Sequence, residues 1–528
     1  MLTQAQRMAG LADDQVAQVL AIGQALQQGR IADAERGAIA ALARAPRHPE
    51  ILRLFGMVQV RRGRFEAAVD TLQQAAALRP EDPLVYNGLG GAYEGIRDNT
   101  RSREALRRAC ELGPELALCW FNYARRVFAD GETEAAVPAL QRVIELQPDH
   151  ISARTMLANL LRADGKVVEA EAQFRRIAAD HPARAGLAWW GLALLKPIPL
   201  NKDDIATMRR VLQGTEITGY DRVATGFALA MALEQQGDFS GAFTAMGDAH
   251  AYARRSEPYD ATAFSKHIHG ITQAFLPVPR GSAEAQGEEV IFIVSLPRSG
   301  STLTEQILAS HSQVEGGTEL PDLPQVVMNE SDRVRQAFPQ WVRTHTPAQW
   351  QALGQKYLAR TAQWRQRRPR FTDKAPGNWQ YVGVILAMLP NARVVICRRD
   401  PLENCLACYR YIFTRHPYTH DFADLAAHWR DFDAAAEQWK RQYPDRVREQ
   451  IYENLVADPE AQIRELLAFC DLPFEEACLN FHANERRVTT PSAAQVREPI
   501  RRDTARAYKY GALLDPLRSA LGLPPFRS

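Results

Sequence analysis

Apolar and small residues in the first part of the chain repeat with a fixed spacing that predicts pairs of antiparallel helices. A proline, a glycine and a large apolar residue each recur every ~34 residues, and only the glycine series has a gap, at Arg97. The recurring residues are Pro46, Pro80, Pro114, Pro148 and Pro182, then Gly29, Gly63, Gly131 and Gly165, and then Leu72, Leu106, Leu140 and Phe174. One helix pair cannot bury its apolar face alone, whereas stacked pairs can. The sequence therefore predicts a superhelix of stacked helix pairs over about residues 15–195.

A weaker helix pair is predicted at about residues 206–256, where Gly237 and Asp238 mark a turn. The stretch 277–289 is polar and rich in proline and glycine, which is typical of a linker. We therefore predict a helical superhelix over residues 1–276, a linker over 277–289 and a second domain over 290–528.

In the second domain, apolar runs typical of buried strands alternate with helical patterns. Strands are predicted at Ile291–Val294 and Arg393–Cys397, with a strand-like stretch at Glu449–Leu455, and helices at Thr302–Ser310 and Gln380–Met388. This alternation predicts a parallel α/β sheet, whose ligands bind beyond the carboxyl ends of the strands. The predicted fold class is an α-solenoid followed by a parallel-sheet α/β domain.

The first of these strands runs into a loop of small residues, Leu296-Pro-Arg-Ser-Gly-Ser-Thr302. Gly300 lets a ligand approach the backbone, and backbone N–H groups ahead of a helix form an anion site. We expect Ser301 or Thr302 to cap the helix, with Glu305 completing a capping box. A tight turn without a ligand is the alternative. The loop lacks the lysine with which nucleoside-triphosphate-binding loops reach the γ-phosphate, which argues against a kinase or NTPase.

Composition narrows the class of protein further. The formal net charge of +2 over 528 residues argues against a general nucleic-acid binder. The seven cysteines show no disulfide framework, and we expect them to be reduced and buried rather than metal ligands. No metal site is expected. The sequence shows no secretory signal core and no apolar run of the ~18 residues that a membrane span needs, so a cytoplasmic location is expected.

The order of these motifs resembles known families. The first part resembles tetratricopeptide repeats, and the region from about Glu288 onward resembles the catalytic domain of sulfotransferases, most closely the protein-tyrosine sulfotransferases. The loop 296–302 is similar to the family's loop for the 5′-phosphosulfate of 3′-phosphoadenylyl sulfate. Arg399-Asp-Pro is similar to its 3′-phosphate motif, and the stretch beginning at Tyr452 is similar to its Tyr-Glu-x-Leu segment.

This resemblance implies roles for individual residues. Glu319 matches the catalytic base of the tyrosylprotein branch, and Lys374 matches its catalytic lysine. The implied donor-binding residues are Pro297, Arg298, Ser299, Gly300, Ser301, Thr302, Arg399, Tyr452, Arg497 and Arg501. Ala407 departs from the pattern, because the family has a serine there that binds the 3′-phosphate.

The chemistry itself requires such groups. Transfer of a sulfuryl group to a hydroxyl, like phosphoryl transfer, depends mainly on positioning and on neutralising charge. A carboxylate such as Glu319 can take the hydroxyl proton, and cations such as Arg298 and Lys374 can stabilise the leaving phosphate.

The resemblance therefore predicts a sulfotransferase that uses 3′-phosphoadenylyl sulfate, releases adenosine 3′,5′-bisphosphate and needs no metal. A protein or peptide acceptor, with tyrosine as one candidate, would be held by the tetratricopeptide array. A small-molecule or glycan acceptor, a non-catalytic nucleotide-binding scaffold and a homo-oligomer remain open at this point.

Three histidines near the predicted site, His416, His420 and His428, invite an acid–base interpretation. Clusters of this kind more often lie on the surface between a helix and a loop, with their hydrogen bonds satisfied. A surface position is therefore expected for them.

Overall fold

The structure is a computed structural model that describes residues 2–195, 199–317, 319–413, 416–486, 488, 495–502 and 504–527. It divides into two compact units, Met1–Asp204 with Gln213–Asp221, and Ile205–Leu212 with Arg222–Ser528. None of the described helices is both long and apolar enough to cross a membrane.

Helix pairs fill the first unit, as the repeat predicts. The helices are α1 Gln4–Met8, α2 Asp13–Gln27, α3 Ile31–Arg44, α4 Pro49–Arg61, α5 Phe65–Leu78, α6 Pro83–Gly95, α7 Asn99–Leu112, α8 Ala117–Ala129, α9 Thr133–Leu146, α10 Ile151–Ala163, α11 Val167–Asp180 and α12 Gly186–Ala193. The next helix, α13 Lys202–Gln213, contains residues of both units.

The repeated residues explain the pairing. Each repeated glycine has a positive φ between the two helices of its pair, for example 74° at Gly63. Arg97 takes the same left-handed conformation, with φ of 61°, so the turn is kept where the glycine is missing. The repeated leucines are buried, and a Cβ added to Gly56 would lie 2.5 Å from Leu72 Cγ. Close approach at these positions lets the two helices pack.

In the second unit, three helices precede a parallel sheet in the chain. The helices are α14 Gly219–Gln235, α15 Phe239–Ser256 and α16 Ala261–Ala274. The strands are β1 Val290–Ser295, β2 Val314–Gly316, β3 Arg370–Lys374, β4 Arg393–Arg398 and β5 Val447–Ile451, in the spatial order β2-β3-β1-β4-β5. All four pairings are parallel, so the predicted parallel α/β domain is confirmed.

Helices cover both faces of this sheet. They are α17 Ser301–Ala309, α18 Asp322–Val334, α19 Pro347–Arg360, α20 Val382–Met388, α21 Pro401–Tyr409, α22 Phe422–Gln442, α23 Tyr452–Ala457, α24 Pro459–Phe469, α25 Ala507–Tyr510 and α26 Asp515–Ala520. One core cluster packs Phe292 and Val294 of β1, while a second packs Ile291 and Ile293 from the opposite face of the same strand. The uninterrupted apolar run of β1 follows from burial on both faces.

One predicted element is wrong in type. The strand-like stretch Glu449–Leu455 is divided, because β5 ends at Ile451 and helix α23 begins at Tyr452. Tyr452 therefore lies at the carboxyl end of β5, on the edge of the sheet where parallel α/β domains bind ligands.

Candidate functional site

The loop after β1 curls tightly before it enters α17. Arg298 has φ of 65° and Gly300 has φ of 86°, so two residues in close succession take the left-handed conformation. Gly300 is itself the N-cap of α17, and it supplies no side-chain hydrogen bond. The predicted capping box is wrong, because the helix starts one residue earlier and Glu305 binds Arg486 and Thr372 instead. The first N–H groups of α17 are therefore not capped by a side chain at the N-cap, as an anion-binding helix terminus requires.

Two side chains of helix α21 contact the loop. Asn404 Nδ2 donates to Pro297 O at 2.9 Å and to Ser299 Oγ at 2.8 Å, and Cys408 Sγ lies 3.3 Å from Pro297 O. Asn404 is 2% exposed. The sequence interpretation missed this residue. Its signal is one amide on an otherwise apolar helix face, one turn after Arg399-Asp-Pro.

Ala407 lies on the same helix, half-buried, in place of the serine that the resemblance implies. Asn404 does not replace the lost hydroxyl, because both of its amide N–H groups already serve the loop. Arg399, in the turn that precedes α21, contacts the loop through Arg298 O.

Arg399 lies at the end of β4 and reaches the same loop. Its Nη1 donates to Arg298 O at 3.4 Å, and its Nη2 contacts Thr504 O at 3.3 Å and Glu403 Oε2 at 3.4 Å. These contacts are long for charge-assisted hydrogen bonds. Among the residues that the structure describes, Nε of Arg399 is buried without a hydrogen-bond partner. A buried donor of this kind is expected to have a ligand.

Tyr452 stacks against Arg399, with the guanidinium carbon 5.0 Å from the ring centroid. The tyrosine hydroxyl lies 3.3 Å from Thr504 Oγ1. A Cβ at position 300 would lie 2.7 Å from Tyr452 Cδ2, so the loop requires glycine beside this ring. The structure therefore brings Gly300, Arg399 and Tyr452 together. It also places Thr504 there, which the sequence interpretation missed because Thr504 belongs to a segment distant in sequence.

Arg298 lies at the tip of the loop, and its guanidinium carbon is 5.5 Å from the ring centroid of Tyr411. Burial lowers the pKa of Arg298 below the usual arginine value, and the neighbouring charge of Arg399 acts in the same direction. Two clustered and poorly solvated guanidinium groups favour an anion between or beside them.

The predicted catalytic pair is also joined. Lys374 ends β3, and Glu319 lies in the turn after β2, the strand next to β3. Lys374 Nζ lies 2.6 Å from Glu319 Oε1. The side chain of Lys374 is 1% exposed and that of Glu319 is 55% exposed, so a buried cation holds a carboxylate that solvent and an acceptor can reach.

Asp373, one residue before Lys374, is fully buried with a partner of its own. Tyr357 donates its hydroxyl to Asp373 Oδ2 at 2.7 Å. Burial raises the pKa of Asp373 to about 7. Successive side chains of a strand point to opposite faces, so Asp373 and Lys374 have different partners, Tyr357 and Glu319.

Two predicted donor-binding residues, Arg497 and Arg501, lie in the C-terminal segment and are exposed. Arg497 is exposed in a short 3₁₀ helix, Gln495–Arg497, and its Nη2 lies 3.4 Å from Arg486 O. Arg501 is exposed. The resemblance places both arginines in a loop over residues 492–501, of which residues 492–494 lie outside the described residues. Binding of a phosphate by Arg497 and Arg501 remains a prediction.

The expected surface position of the histidines is wrong for two of the three. His420 and His428 are buried, and burial lowers the pKa of His428 to about 3. His428 stacks on Tyr418 at 3.7 Å between ring centroids. His416 is half-buried, and burial lowers its pKa, while the charge of Glu319 acts more weakly in the opposite direction. Of these three residues, His416 is thus the one within electrostatic reach of the candidate base.

Together, the carboxyl ends of β1, β3 and β4 carry a helix terminus with glycine at its N-cap, a lysine–glutamate pair and an arginine whose buried Nε has no hydrogen-bond partner in the part of the chain that the structure describes. This arrangement defines a parallel α/β domain with a candidate site for an anionic ligand.

Comparison with known proteins identifies the families. Residues 290–476 match the model described as "Sulfotransferase family". Residues 24–83, 53–117 and 127–193 match models of the tetratricopeptide repeat. The chain therefore combines tetratricopeptide repeats with a sulfotransferase-family domain.

Three curated relatives are each similar to part of this chain. An uncharacterized protein of Aquifex aeolicus is 30% identical over 403 residues, which span 72% of this chain and 52% of the relative. The protein-tyrosine sulfotransferase of Drosophila melanogaster is 27% identical over 207 residues, or 36% of this chain and 40% of the relative. Protein-tyrosine sulfotransferase A of Caenorhabditis elegans is 24% identical over 198 residues, or 36% and 52%. The chain thus spans about half the length of these relatives.

Among solved structures, the sulfotransferase domain of the Synechococcus PCC 7002 olefin synthase is similar at 23% identity. It matches with a TM-score of 0.33 over 43% of this chain and 89% of that domain.

Proposed function

We propose that this protein is a sulfotransferase that transfers a sulfuryl group from 3′-phosphoadenylyl sulfate to a hydroxyl, with a tyrosine of a protein or peptide as the acceptor. The observation that carries the proposal is the pairing of Lys374 with Glu319 at 2.6 Å, on the same sheet edge as the loop 296–302 and Arg399. An anion-binding loop alone would fit many phosphorylated ligands. A base beside a buried cation adds the means to activate a hydroxyl.

The residues present fit the donor. Arg399 Nε is a buried donor without a partner among the described residues, and the ring of Tyr452 lies beside it. Arg399 would hold the 3′-phosphate, with Tyr452 next to the adenine. The loop from Pro297 to Thr302, with the Arg298 guanidinium, would hold the 5′-phosphosulfate. When bound, 3′-phosphoadenylyl sulfate supplies the sulfuryl group and leaves as adenosine 3′,5′-bisphosphate.

Glu319 takes the proton of the attacking hydroxyl in this proposal. The buried ammonium of Lys374, 2.6 Å from Glu319 Oε1, holds this carboxylate in place at the edge of the sheet. General base catalysis of this kind contributes typically ~10²–10⁴-fold. Lys374 and Arg298 place positive charge where the leaving phosphate develops negative charge, and their burial strengthens that interaction.

Support for a peptide acceptor comes from the family matches. The relatives from Drosophila and Caenorhabditis are named protein-tyrosine sulfotransferases. Stacked helix pairs form extended concave surfaces that suit peptides. We therefore infer that the tetratricopeptide array recruits the acceptor protein.

Labelled 3′-phosphoadenylyl sulfate, offered with tyrosine-containing peptides and with the corresponding phenylalanine peptides, tests this proposal directly. We expect label on the tyrosine peptides alone, and a loss of about 10²-fold or more in Glu319→Gln, with binding of adenosine 3′,5′-bisphosphate retained in calorimetry. Label on a carbohydrate or small molecule in place of peptides would overturn the acceptor class. Nucleotide binding without transfer to any acceptor would overturn the enzyme.

A further inference from the structure

A chain of buried and partly buried hydrogen bonds runs from Arg486 to the turn that carries Glu319. Arg486 Nη2 donates to Glu305 Oε2 at 2.8 Å. The other oxygen of Glu305, Oε1, accepts from Thr372 Oγ1 at 3.3 Å. Gly317 N then donates to Thr372 Oγ1 at 3.2 Å, and the carbonyl oxygen of Thr372 accepts from the same N–H at 3.1 Å.

The groups at the centre of this chain are among the least exposed polar groups of the domain. Glu305 is 1% exposed and Thr372 is 0% exposed. A buried ion pair is seldom retained for stability, because well-packed apolar residues of similar volume often stabilise as much or more. The Glu305–Arg486 pair therefore suggests a role other than holding α17 on the sheet.

The geometry of the turn depends on this chain. A Cβ at Gly317 would lie 2.2 Å from Thr372 O, and a Cβ at Gly316 would lie 2.4 Å from Arg486 Nη1. The turn thus lies directly against Thr372 and Arg486, two members of this chain of hydrogen bonds. Two residues beyond Gly317, Glu319 points its half-exposed carboxylate at Lys374, which belongs to the same strand as Thr372.

The chain also connects the two halves of the candidate site. Glu305 lies on α17, whose N-terminus follows the anion loop, and Thr372 lies on β3, which ends in Lys374. Arg486 adds a second anchor on α17, since its Nε donates to Gln306 Oε1 at 2.8 Å. A shift of the helix relative to the strand would therefore move the turn of Glu319 with it.

We propose that Thr372 is a positioning residue, which transmits the Glu305–Arg486 pair to the Gly317 amide and so fixes Glu319 for proton removal. This inference rests on the proposed function of Glu319, but its structural part can be measured separately. The Thr372 hydroxyl links the two halves of this chain of hydrogen bonds, because it donates to Glu305 and accepts from Gly317. Its donated hydrogen bond orients its lone pairs toward the glycine N–H.

Thr372→Val tests the inference, because valine keeps the shape and the strand propensity while it removes the hydroxyl. Thr372→Ser is the conservative rescue variant. Thr225→Val is the matched control, since Thr225 is also 0% exposed and its Oγ1 has no hydrogen-bond partner among the described residues. We expect kcat to fall about tenfold or more in Thr372→Val, in line with the cost of small misplacements in active sites. Binding of adenosine 3′,5′-bisphosphate should stay unchanged, and Thr372→Ser and Thr225→Val should retain wild-type kcat.

A double variant separates positioning from general destabilisation. In the Glu319→Gln background, Thr372→Val should cause no further loss of kcat, because the two residues act through one group. Additive losses, or full activity in Thr372→Val, would overturn the proposal.

Hydrogen exchange provides a readout that does not need catalysis. The Gly317 amide should exchange about fivefold or more faster in Thr372→Val than in wild type, Thr372→Ser or Thr225→Val. The valine variant removes the hydrogen bond to the Thr372 hydroxyl and keeps the one to the backbone carbonyl. Unchanged exchange would overturn the positioning role even in an active enzyme. If wild type transfers sulfate to no acceptor, the proposed function fails, and faster exchange in Thr372→Val alone would still support the restraint on the turn.

Discussion

Lys374 and Glu319 form an ion pair of unequal exposure, in which the ammonium is almost fully buried and the carboxylate is 55% exposed. The two residues therefore have different roles in the candidate site. Glu319 can meet an acceptor, whereas Lys374 depends on Glu319 to compensate its charge away from water.

Replacing Lys374 with methionine should separate catalysis from stability. We expect Lys374→Met to lower kcat about 10²-fold or more, because a cation beside the leaving group is lost. The free energy of unfolding should be unchanged or higher, since an apolar side chain of similar length replaces a buried charge. Glu319→Gln should instead lower the free energy of unfolding by about 1 kcal/mol, because it leaves Lys374 with a neutral partner. Sulfate transfer and urea unfolding measure both effects, and an active Lys374→Met enzyme would contradict the assignment.

The neighbouring residues Arg398 and Arg399 provide a matched pair for the donor site. Arg398 binds Glu437 at 3.1 Å and also pairs with Asp433 and Glu449, away from the loop. Sequence alternation at a strand end predicts that the two point apart, and their partners agree with this prediction.

Arg399→Lys should weaken binding of adenosine 3′,5′-bisphosphate about tenfold or more, because lysine lacks the planar fork that binds phosphate in two places. Arg398→Lys should leave the dissociation constant unchanged. Titration calorimetry at fixed salt measures both variants. Equal affinity in wild type and Arg399→Lys would reject Arg399 as the 3′-phosphate ligand.

Burial of His428 predicts a dependence of stability on pH. Its pKa is about 3 in the folded protein, against about 6.5 in an unfolded chain. Above pH 6.5 both states are neutral, and the stability is fully present. Between pH 6.5 and 3 only the unfolded state takes up a proton, so stability is lost as the pH falls, by up to about 1.4 kcal/mol per pH unit.

His428→Phe should remove this part of the acid sensitivity, because phenylalanine keeps the stack on Tyr418 and does not titrate. At pH 7 we expect the variant to be about 1 kcal/mol less stable, since Tyr259 loses its hydrogen bond to His428 Nδ1. The difference should shrink and then reverse at pH 4. His250, whose pKa burial also lowers to about 3, is common to both proteins and cancels in the comparison. Parallel pH curves would contradict the prediction.

Much of the fold could be predicted from the sequence, because its signals are local. The ~34-residue period requires one turn geometry per repeat, and Arg97 shows that the left-handed conformation is kept even where glycine is not. The buried run of β1 and the small-residue loop likewise follow from neighbouring residues. The boundary at Tyr452 was mistaken because aromatic and apolar residues suit a strand and a buried helix start equally well.

The parts of the site that sequence missed depend on contacts between distant segments. Asn404 contacts Pro297 across 107 residues, and Thr504 contacts Arg399 across 105 and Tyr452 across 52. Neither residue belongs to a local pattern that requires it. The burial of His420 and His428 was missed for the same reason. His250 of α15 contacts His420, and His428 contacts Tyr259, between α15 and α16, and Phe264 of α16.

Asp373 should affect stability in the opposite direction to His428. Its pKa is about 7 in the folded protein, raised by burial, against about 3.9 in an unfolded chain. Below pH 4 both states are protonated, and the stability is fully present. As the pH rises toward 7, only the unfolded state releases the proton, so stability is lost.

Asp373→Asn should therefore become more stable than wild type as the pH rises. At pH 4 the two proteins should be similar, because the neutral carboxyl and the amide both accept from Tyr357 and both place a donor where Oδ1 has no partner among the described residues. Between pH 4 and 7 the variant should gain roughly a few kcal/mol relative to wild type, and the difference should level off above pH 7. Urea unfolding at pH 4, 5.5 and 8 measures the curve. A constant difference would show that Asp373 ionises as readily in the folded protein as in the unfolded chain, and a pairing with the ammonium of Lys374 would then have to replace the hydrogen bond from Tyr357 as its main interaction.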